Sequence, residues 1–350
     1  MTYRLLIADD SPLYRLRLSQ IFAASDRLQI VGLASNGREA IGLITERRAD
    51  VLVLDLEMPE LDGFSVLRWV MKNAPLPVVV CSGLAERESV FRALEAGAVD
   101  FITKPELRNA IRSEEFAEHL RQRVEAAAEA HAGAALPLAE KGESYAAVAR
   151  LSQARASRAR ACMVGIVGSA GSPAALALLL SRLRRDFPVP VVVALHMPQG
   201  FTRSFAERLS RTTPFTAREA RDGERIGGSQ IYVAPGGHHT TLTGRDGKEL
   251  FFSIAPASAK DFYTPSADRL LNSLAESCGE KALAVVLTGM GDDGLRGARS
   301  VKERGGYVIV ESRDSALIWG MPRAVSEAGL ADAELTPVAI SAALPMLCSD

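Results

Sequence analysis

Between residues 3 and 104 the chain alternates short apolar runs with stretches whose apolar positions recur every three or four residues. The runs at residues 5–8, 30–34, 51–54, 78–81 and 101–103 are short and dominated by apolar side chains, which predicts buried strands. Leu13, Leu16, Leu18, Ile21 and Phe22, between the first two runs, have helical spacing. Such alternation predicts a parallel sheet with helices on both faces, a doubly wound α/β unit. From residue 121 to 160 the pattern loosens into Ala- and Arg-rich sequence broken by Gly133, Pro137 and Gly142, read as a terminal helix running into a linker. A second alternating block starts at Cys162, with apolar runs at 163–167, 189–195, 231–234, 283–287 and 308–310 and a helical run over 174–183. No repeat of solenoid length is present. The expected organisation is a first domain over residues 1–120, a linker over 121–160 and a second domain over 161–350, both domains α/β with parallel sheets.

Composition narrows the class without changing that picture. A chain of 350 residues can bury two full cores, and 47% hydrophobic with 24% charged residues is the profile of a globular protein. A formal net charge of -1 gives no reason to expect nucleic acid or an anionic membrane as partner. Arg150, Arg155, Arg158 and Arg160 have no interleaved aromatics and read as a solvated linker. No run approaches the roughly 20 apolar residues of a membrane span. The N-terminal apolar stretch is too short, and too soon acidic, for a signal peptide. Cys81, Cys162, Cys278 and Cys348 lack the close pairing of zinc sites; free thiols and a cytoplasmic location are expected.

The polar residues at strand ends carry the candidate chemistry. Asp9 and Asp10 follow the first strand, Asp55 the third, Ser82 the fourth and Lys104 the fifth. In a doubly wound sheet these ends meet at the topological switch point. Carboxylates gathered there repel one another unless a cation joins them, and hard oxygen donors suit Mg²⁺. The set could accept a phosphoryl group on a carboxylate and hold its oxygens. A helix cap at Asp10-Ser11-Pro12 is the competing reading of that pair alone.

In the second block, Ser169 lies in the turn Gly168-Ser169-Ala170-Gly171-Ser172-Pro173 between a strand and a helix, where a hydroxyl can sit beside free backbone N–H groups. A nucleotide loop is disfavoured because the G-x-G-x-x-G spacing is missing. His196 follows a strand directly, and Asp292 and Asp293 lie in the Gly-rich loop after another. If these strands are parallel neighbours, a hydroxyl, an imidazole and a carboxylate converge for proton transfer. The pattern leaves Asp292 and Asp293 unresolved, one of them reading as a helix cap. His238-His239, after Gly236-Gly237, reads as a surface turn rather than a metal site.

Two resemblances sharpen this. Asp9-Asp10-Ser11, Asp55-Leu56-Glu57-Met58-Pro59 with Asp62-Gly63, Ser82 and Lys104-Pro105 resemble the flavodoxin-like (βα)5 receiver domain of two-component response regulators. The resemblance implies that Asp55 accepts phosphate, with Asp10, Asp55 and the Glu57 carbonyl binding Mg²⁺ directly and Asp9 through water. It also implies that Ser82 and Lys104 hold the phosphoryl group, and that Phe101 is the aromatic switch position. The segment from His196-Met197-Pro198-Gln199-Gly200 to Leu209, with Tyr232-Val233-Ala234-Pro235-Gly236, Leu287-Thr288-Gly289-Met290-Gly291 and Gly320-Met321-Pro322, resembles the parallel-sheet catalytic domain of chemotaxis protein-glutamate methylesterases. That implies hydrolysis of glutamyl methyl esters on methylated chemoreceptors, methanol release, deamidation of specific glutamines, and a chemotaxis histidine kinase as phosphodonor. Ser169, His196 and Asp293 match its catalytic positions and the Met290 N–H an oxyanion donor; no cofactor is expected in this domain. The resting receiver is expected to cover the catalytic edge. Ala170-Gly171-Ser172, Tyr263-Thr264-Pro265-Ser266 and Pro235-Gly236-Gly237 depart from the family's usual residues. A phosphorylation-gated binding module without catalysis, and a DNA-binding output, are the competing classes.

Overall fold

The structure is a computed structural model describing residues 2–83, 87–104, 114–129, 148, 159–245, 248–258 and 261–348. It divides into two compact units, residues 1–135 and 136–350. Most of the anticipated linker, along with Pro105, lies outside the described residues. Among those described, no helix is long and apolar enough to cross a membrane.

The first unit is a five-stranded parallel sheet in the order β2-β1-β3-β4-β5. The strands are β1 (Tyr3–Ala8), β2 (Leu28–Ala34), β3 (Val51–Asp55), β4 (Val78–Ser82) and β5 (Asp100–Thr103). The order reverses at β1 and β3, so Asp9 and Asp55 leave adjacent strands at the switch point. Helix α1 (Pro12–Ala23) is capped by Ser11, whose hydroxyl accepts the Tyr14 N–H, so the cap does not use the Asp10 carboxylate. After α2 (Gly37–Arg47), α3 (Gly63–Asn73) starts at Asp62, whose side chain accepts the Ser65 N–H. A Cβ at Gly63 would lie 2.1 Å from the Asp55 carbonyl oxygen; only glycine lets this helix start so close to the β3 end.

After α4 (Arg87–Glu95), α5 (Glu114–Glu129) is tied to the sheet by a bidentate pair. Arg123 Nε donates to Asp100 Oδ2 at 2.6 Å and its Nη2 to Oδ1 at 2.6 Å, both residues being buried. This pair anchors β5, which carries Lys104 at its end.

The second unit holds a seven-stranded parallel sheet, ordered β14-β13-β12-β6-β7-β9-β8. Its centre is β6 (Met163–Gly168), flanked by β7 (Val191–Leu195) and β12 (Ala282–Val286), all completely buried. β9 (Ile231–Val233) and β8 (Ala217–Glu219) extend one side, with helix α7 (Phe201–Thr212) following β7, and β13 (Tyr307–Glu311) and β14 (Ala333–Leu335) extend the other. Helix α6 (Ser172–Ser181) begins two residues before the expected position because Gly171, at φ +78°, turns the chain into it. A separate antiparallel hairpin of β10 (His238–Arg245) and β11 (Lys248–Pro256) was not anticipated. Its Leu242, Leu250 and Phe252 are buried and Phe251 is exposed, a period-two pattern hidden among threonines. Leu242 N–H donates to Ser273 Oγ on α8 (Ala267–Cys278) at 3.0 Å.

Removing Arg123 would strand the buried Asp100 carboxylate. Arg123→Met is expected to destabilise the first unit by about 3–5 kcal/mol, read from the chemical denaturation midpoint of the full chain; a loss below about 1 kcal/mol would show that the pair does not anchor α5.

Candidate functional site

Three adjacent strands of the second sheet end at one level. The Leu287 N–H donates to the Val167 carbonyl at 2.8 Å, Ser169 N–H to the Thr288 carbonyl at 3.0 Å, and His196 N–H to the Gly168 carbonyl at 3.2 Å. These bonds place Ser169 after β6 and His196 after β7, with the loop that carries Asp293 after β12. The Ser172 hydroxyl donates to the Ser169 carbonyl, closing the turn. The Ala170 carbonyl accepts the Thr288 hydroxyl at 3.1 Å. Ser169 is 9% exposed, and its hydroxyl makes no hydrogen bond among the described residues.

Asp293 Oδ2 lies 2.9 Å from His196 Nε2. The same oxygen accepts the Ala267 N–H at 2.7 Å, while Oδ1 accepts the Asp268 N–H at 2.9 Å and the Ser266 hydroxyl at 3.2 Å. Burial opposes ionisation of Asp293, but His196 and the two backbone donors outweigh it and hold the carboxyl below its ordinary pKa. An ionised carboxylate only accepts, so the Nε2 hydrogen lies on the Asp293 side, and in the neutral ring Nδ1 is the nitrogen that can accept. Asp292, by contrast, is exposed, and its carbonyl accepts the Leu295 N–H at the start of α9 (Leu295–Glu303). The fold thus separates two aspartates that the sequence pattern left equivalent.

Asp293 caps α8 and Asp268, within that helix's first turn, caps α9 in return. Asp268 Oδ1 accepts the Gly294 and Gly297 N–H groups at 2.9 and 2.8 Å, and Oδ2 accepts Arg296 Nε at 2.7 Å.

The ring of Tyr263 stacks on His196 with centroids 4.8 Å apart and planes 15° from parallel. Its phenol accepts the Asp292 N–H, and its pKa is raised by burial and by the neighbouring Asp292 and Asp293 charges. A Cβ at Gly291, which has φ +80°, would lie 2.2 Å from that phenol oxygen. The loop carrying Tyr263 is anchored by His239, 3% exposed, which pairs through Nε2 with Asp261 Oδ2 at 3.1 Å and accepts the Ser266 N–H on Nδ1 at 3.3 Å. The expectation of a surface turn at His238-His239 is corrected for His239. His239 is the second residue of β10, and the seating of that hairpin on α8 buries it, a tertiary effect with no local signature.

Gly289 passes directly over the serine: a Cβ there would lie 2.8 Å from both Ser169 Cβ and Ser169 N. The next N–H, that of Met290, donates to no acceptor among the described residues. Behind this loop lies Glu311, wholly buried at the end of β13, its Oε2 accepting the Thr288 N–H at 2.8 Å and its Oε1 the Ser315 hydroxyl at 3.0 Å. Burial pushes its pKa up to about 7.

In the first unit, one carboxylate oxygen from each of Asp9, Asp10 and Asp55 lies within 4.8 Å of the others. Asp9 and Asp55 are buried and Asp10 is exposed. Lys104 Nζ bridges Asp55 Oδ2 at 2.5 Å and Asp9 Oδ2 at 2.8 Å and sits 4.9 Å from the Tyr14 ring centroid. Burial raises Asp55 to about 6 even against Lys104. Burial works against the Lys104 charge, yet its bonds to Asp55 and Asp9 raise its pKa overall. Asp55 Oδ1 accepts the Glu57 N–H at 3.3 Å, and Phe101 is buried on β5. Ser82 ends β4, while its side chain lies outside the described residues.

Two family models match: "CheB methylesterase" over residues 164–344 and "Response regulator receiver domain" over residues 5–114. A protein-glutamate methylesterase/protein-glutamine glutaminase of Saccharophagus degradans is 37% identical, with 97% of each chain covered. One from Anaeromyxobacter dehalogenans is 39% identical across 100% of this chain and 97% of its own. The crystal structure of the Thermotoga maritima CheB methylesterase catalytic domain is 39% identical, is covered completely by 54% of this chain, and has a TM-score of 0.51.

The buried Glu311 gives a pH test of this architecture. Its folded pKa near 7 exceeds the ordinary 4.5, so its contribution to stability is complete below about 4.5 and is lost as pH rises through about 7. Glu311→Gln is therefore expected to match the parent near pH 4 and exceed it by about 3 kcal/mol at pH 8, measured by denaturant unfolding; a gap independent of pH would contradict the assignment.

Proposed function

The chain belongs to the CheB methylesterase family, with a response-regulator receiver ahead of the esterase unit, and on that premise we propose a phosphorylation-controlled protein-glutamate methylesterase acting through Ser169, His196 and Asp293. The observation that carries this reading is the 2.9 Å bond from His196 to a buried Asp293 beside Ser169, on neighbouring strand ends.

Ser169 Oγ attacks the side-chain ester carbonyl, and its proton passes to His196 Nδ1. Asp293 keeps the ring oriented and stabilises the imidazolium by holding Nε2–H. The Ser169 N–H is occupied by the Thr288 carbonyl, so the developing oxyanion is assigned to the Met290 N–H. Collapse returns the proton to the leaving methoxide, releasing methanol and leaving an acyl-serine. Water, deprotonated by His196, then hydrolyses that ester to give the glutamate carboxylate and free Ser169. A glutamine side chain enters the same sequence with ammonia as leaving group, which is the proposed deamidase activity. Tyr263 covers one face of His196 and limits its rotation.

In the receiver, Asp55 accepts the phosphoryl group from a chemotaxis histidine kinase. Asp9, Asp10 and Asp55, with the Glu57 carbonyl, would hold Mg²⁺; the gathered carboxylate oxygens fit a hard divalent cation. An ion held there would supply positive charge to offset that of the phosphoryl oxygens. Lys104 and Ser82 hold the transferred group, Lys104 exchanging its Asp55 contact for phosphoryl oxygens. The substrates proposed are methylated chemoreceptors. All four cysteines are free, in keeping with a reducing compartment, and the proposed location is the cytoplasm.

Methanol release from methylated receptor, with and without a small-molecule phosphodonor, tests both halves. Ser169→Ala is expected to lower kcat by about 10³-fold or more, and Asp55→Asn to abolish the phosphodonor's stimulation. Unchanged release from Ser169→Ala would overturn the triad, and stimulation surviving Asp55→Asn would overturn the phosphoacceptor.

A further inference from the structure

We propose that Glu311 is a positioning residue for hydrolysis, its carboxyl fixing the Thr288–Met290 loop and, through Thr288, the backbone of Ser169. This rests on the reading of Ser169 as nucleophile and the Met290 N–H as oxyanion donor.

Thr288 is the junction of three loops. Its N–H is taken by Glu311 Oε2 at 2.8 Å, and its carbonyl takes the Ser169 N–H at 3.0 Å. Its hydroxyl lies 3.1 Å from the Ala170 carbonyl and 3.2 Å from the Ile318 carbonyl, and accepts the Ile318 N–H at 2.9 Å. The next residue, Gly289, donates to that Ile318 carbonyl at 3.0 Å and accepts the Met321 N–H at 2.7 Å. The serine turn, the oxyanion loop and the segment leading to α10 (Met321–Glu327) are thus tied at one residue, and Glu311 holds it from behind. A shift at Thr288 displaces the nucleophile's peptide and the Met290 N–H together.

A carboxyl is a costly choice for this task. Glu311 is 0% exposed, and its partners are an N–H and a hydroxyl, with no cation among the described residues to offset burial of charge. An apolar residue would pack there without that cost but would leave the Thr288 N–H unsatisfied. The arrangement trades stability for a fixed loop, as expected where geometry rather than folding sets the residue. What the loop needs is an acceptor of the right reach, and a neutral amide provides one: a glutamine oxygen would accept the Thr288 N–H. Its NH₂ would donate to Ser315 Oγ, whose own hydrogen has the Ser312 carbonyl 3.2 Å away as an alternative acceptor.

The test is methanol release from methylated receptor by the full chain, with kcat and KM separated and folding checked by circular dichroism. Glu311→Leu is expected to lower kcat by about 10- to 100-fold, less than the roughly 10²- to 10³-fold of removing an oxyanion donor outright, with KM changed less than about two-fold. Glu311→Gln is expected to stay within about three-fold of the parent kcat. Glu311→Asp, which keeps the charge but shortens the reach, is expected to lose about 10-fold in kcat and supplies the test should the leucine variant not fold. Wild-type kcat in either Glu311→Leu or Glu311→Asp overturns the proposal, as does an equal loss in Glu311→Gln and Glu311→Leu. Ser169→Ala run alongside separates the premises: activity there sinks the nucleophile assignment, whereas an inactive Ser169→Ala beside a fully active Glu311→Leu sinks only the role of Glu311.

Discussion

The Asp293 carboxylate gathers the second unit's chemistry around one buried charge. Four donors reach it: the N–H groups of Ala267 and Asp268, the Ser266 hydroxyl and His196 Nε2. Two of these are the free N–H groups of a helix start, which favour an anion whatever the histidine does. The charge is therefore held in place by the fold, and the imidazole joins a site already organised to keep that aspartate ionised. Asp268 returns the cap to the helix after Asp293, so neither helix can shift without exposing a buried carboxylate. That mutual constraint, more than any single hydrogen bond, holds the Asp293 carboxylate against His196 Nε2.

The sheet supplies the rest. Ser169, His196 and the Thr288–Asp293 loop follow β6, β7 and β12, and Glu311 ends β13, four strands adjacent in the sheet though scattered through the chain. Parallel pairing puts their carboxyl ends at one edge, where side chains and loop backbone are free to turn toward a substrate. The first unit repeats this logic with different chemistry: its reversal of strand order brings Asp9 beside Asp55, and Lys104 from the sheet's edge strand balances them.

How far the site was legible in sequence follows from how local its signals are. Strands over 5–8, 51–54, 163–167 and 283–287 announce themselves because buried parallel strands are continuous apolar runs, and a polar residue ending such a run marks the functional edge. Asp292 and Asp293 were indistinguishable because they differ only in which one faces helix α8, a register that adjacent residues cannot report. Tyr263 and Ser266 sat in a loop noted only for its departures; their contacts to His196 and Asp293 span 67 and 27 residues. His239 reads as a turn residue beside two glycines and is buried, because it lies on β10 of a hairpin that the apolar pattern did not announce. Thr288 stands in the Leu287–Gly291 motif without its role being visible there, and Glu311 carries no motif; what both do lies in hydrogen bonds between strand ends.

The central claim is that Asp293 orients His196 with its hydrogen on Nε2, leaving Nδ1 as the nitrogen proposed to take the serine proton. The ¹⁵N chemical shifts of His196 in histidine-labelled resting enzyme at pH 8 report that state directly. The account requires a protonated-type Nε2 and an unprotonated-type Nδ1, both collapsing toward tautomer-averaged values in Asp293→Ala. A resting ring protonated on Nδ1, or one whose shifts ignore the loss of Asp293, would contradict it.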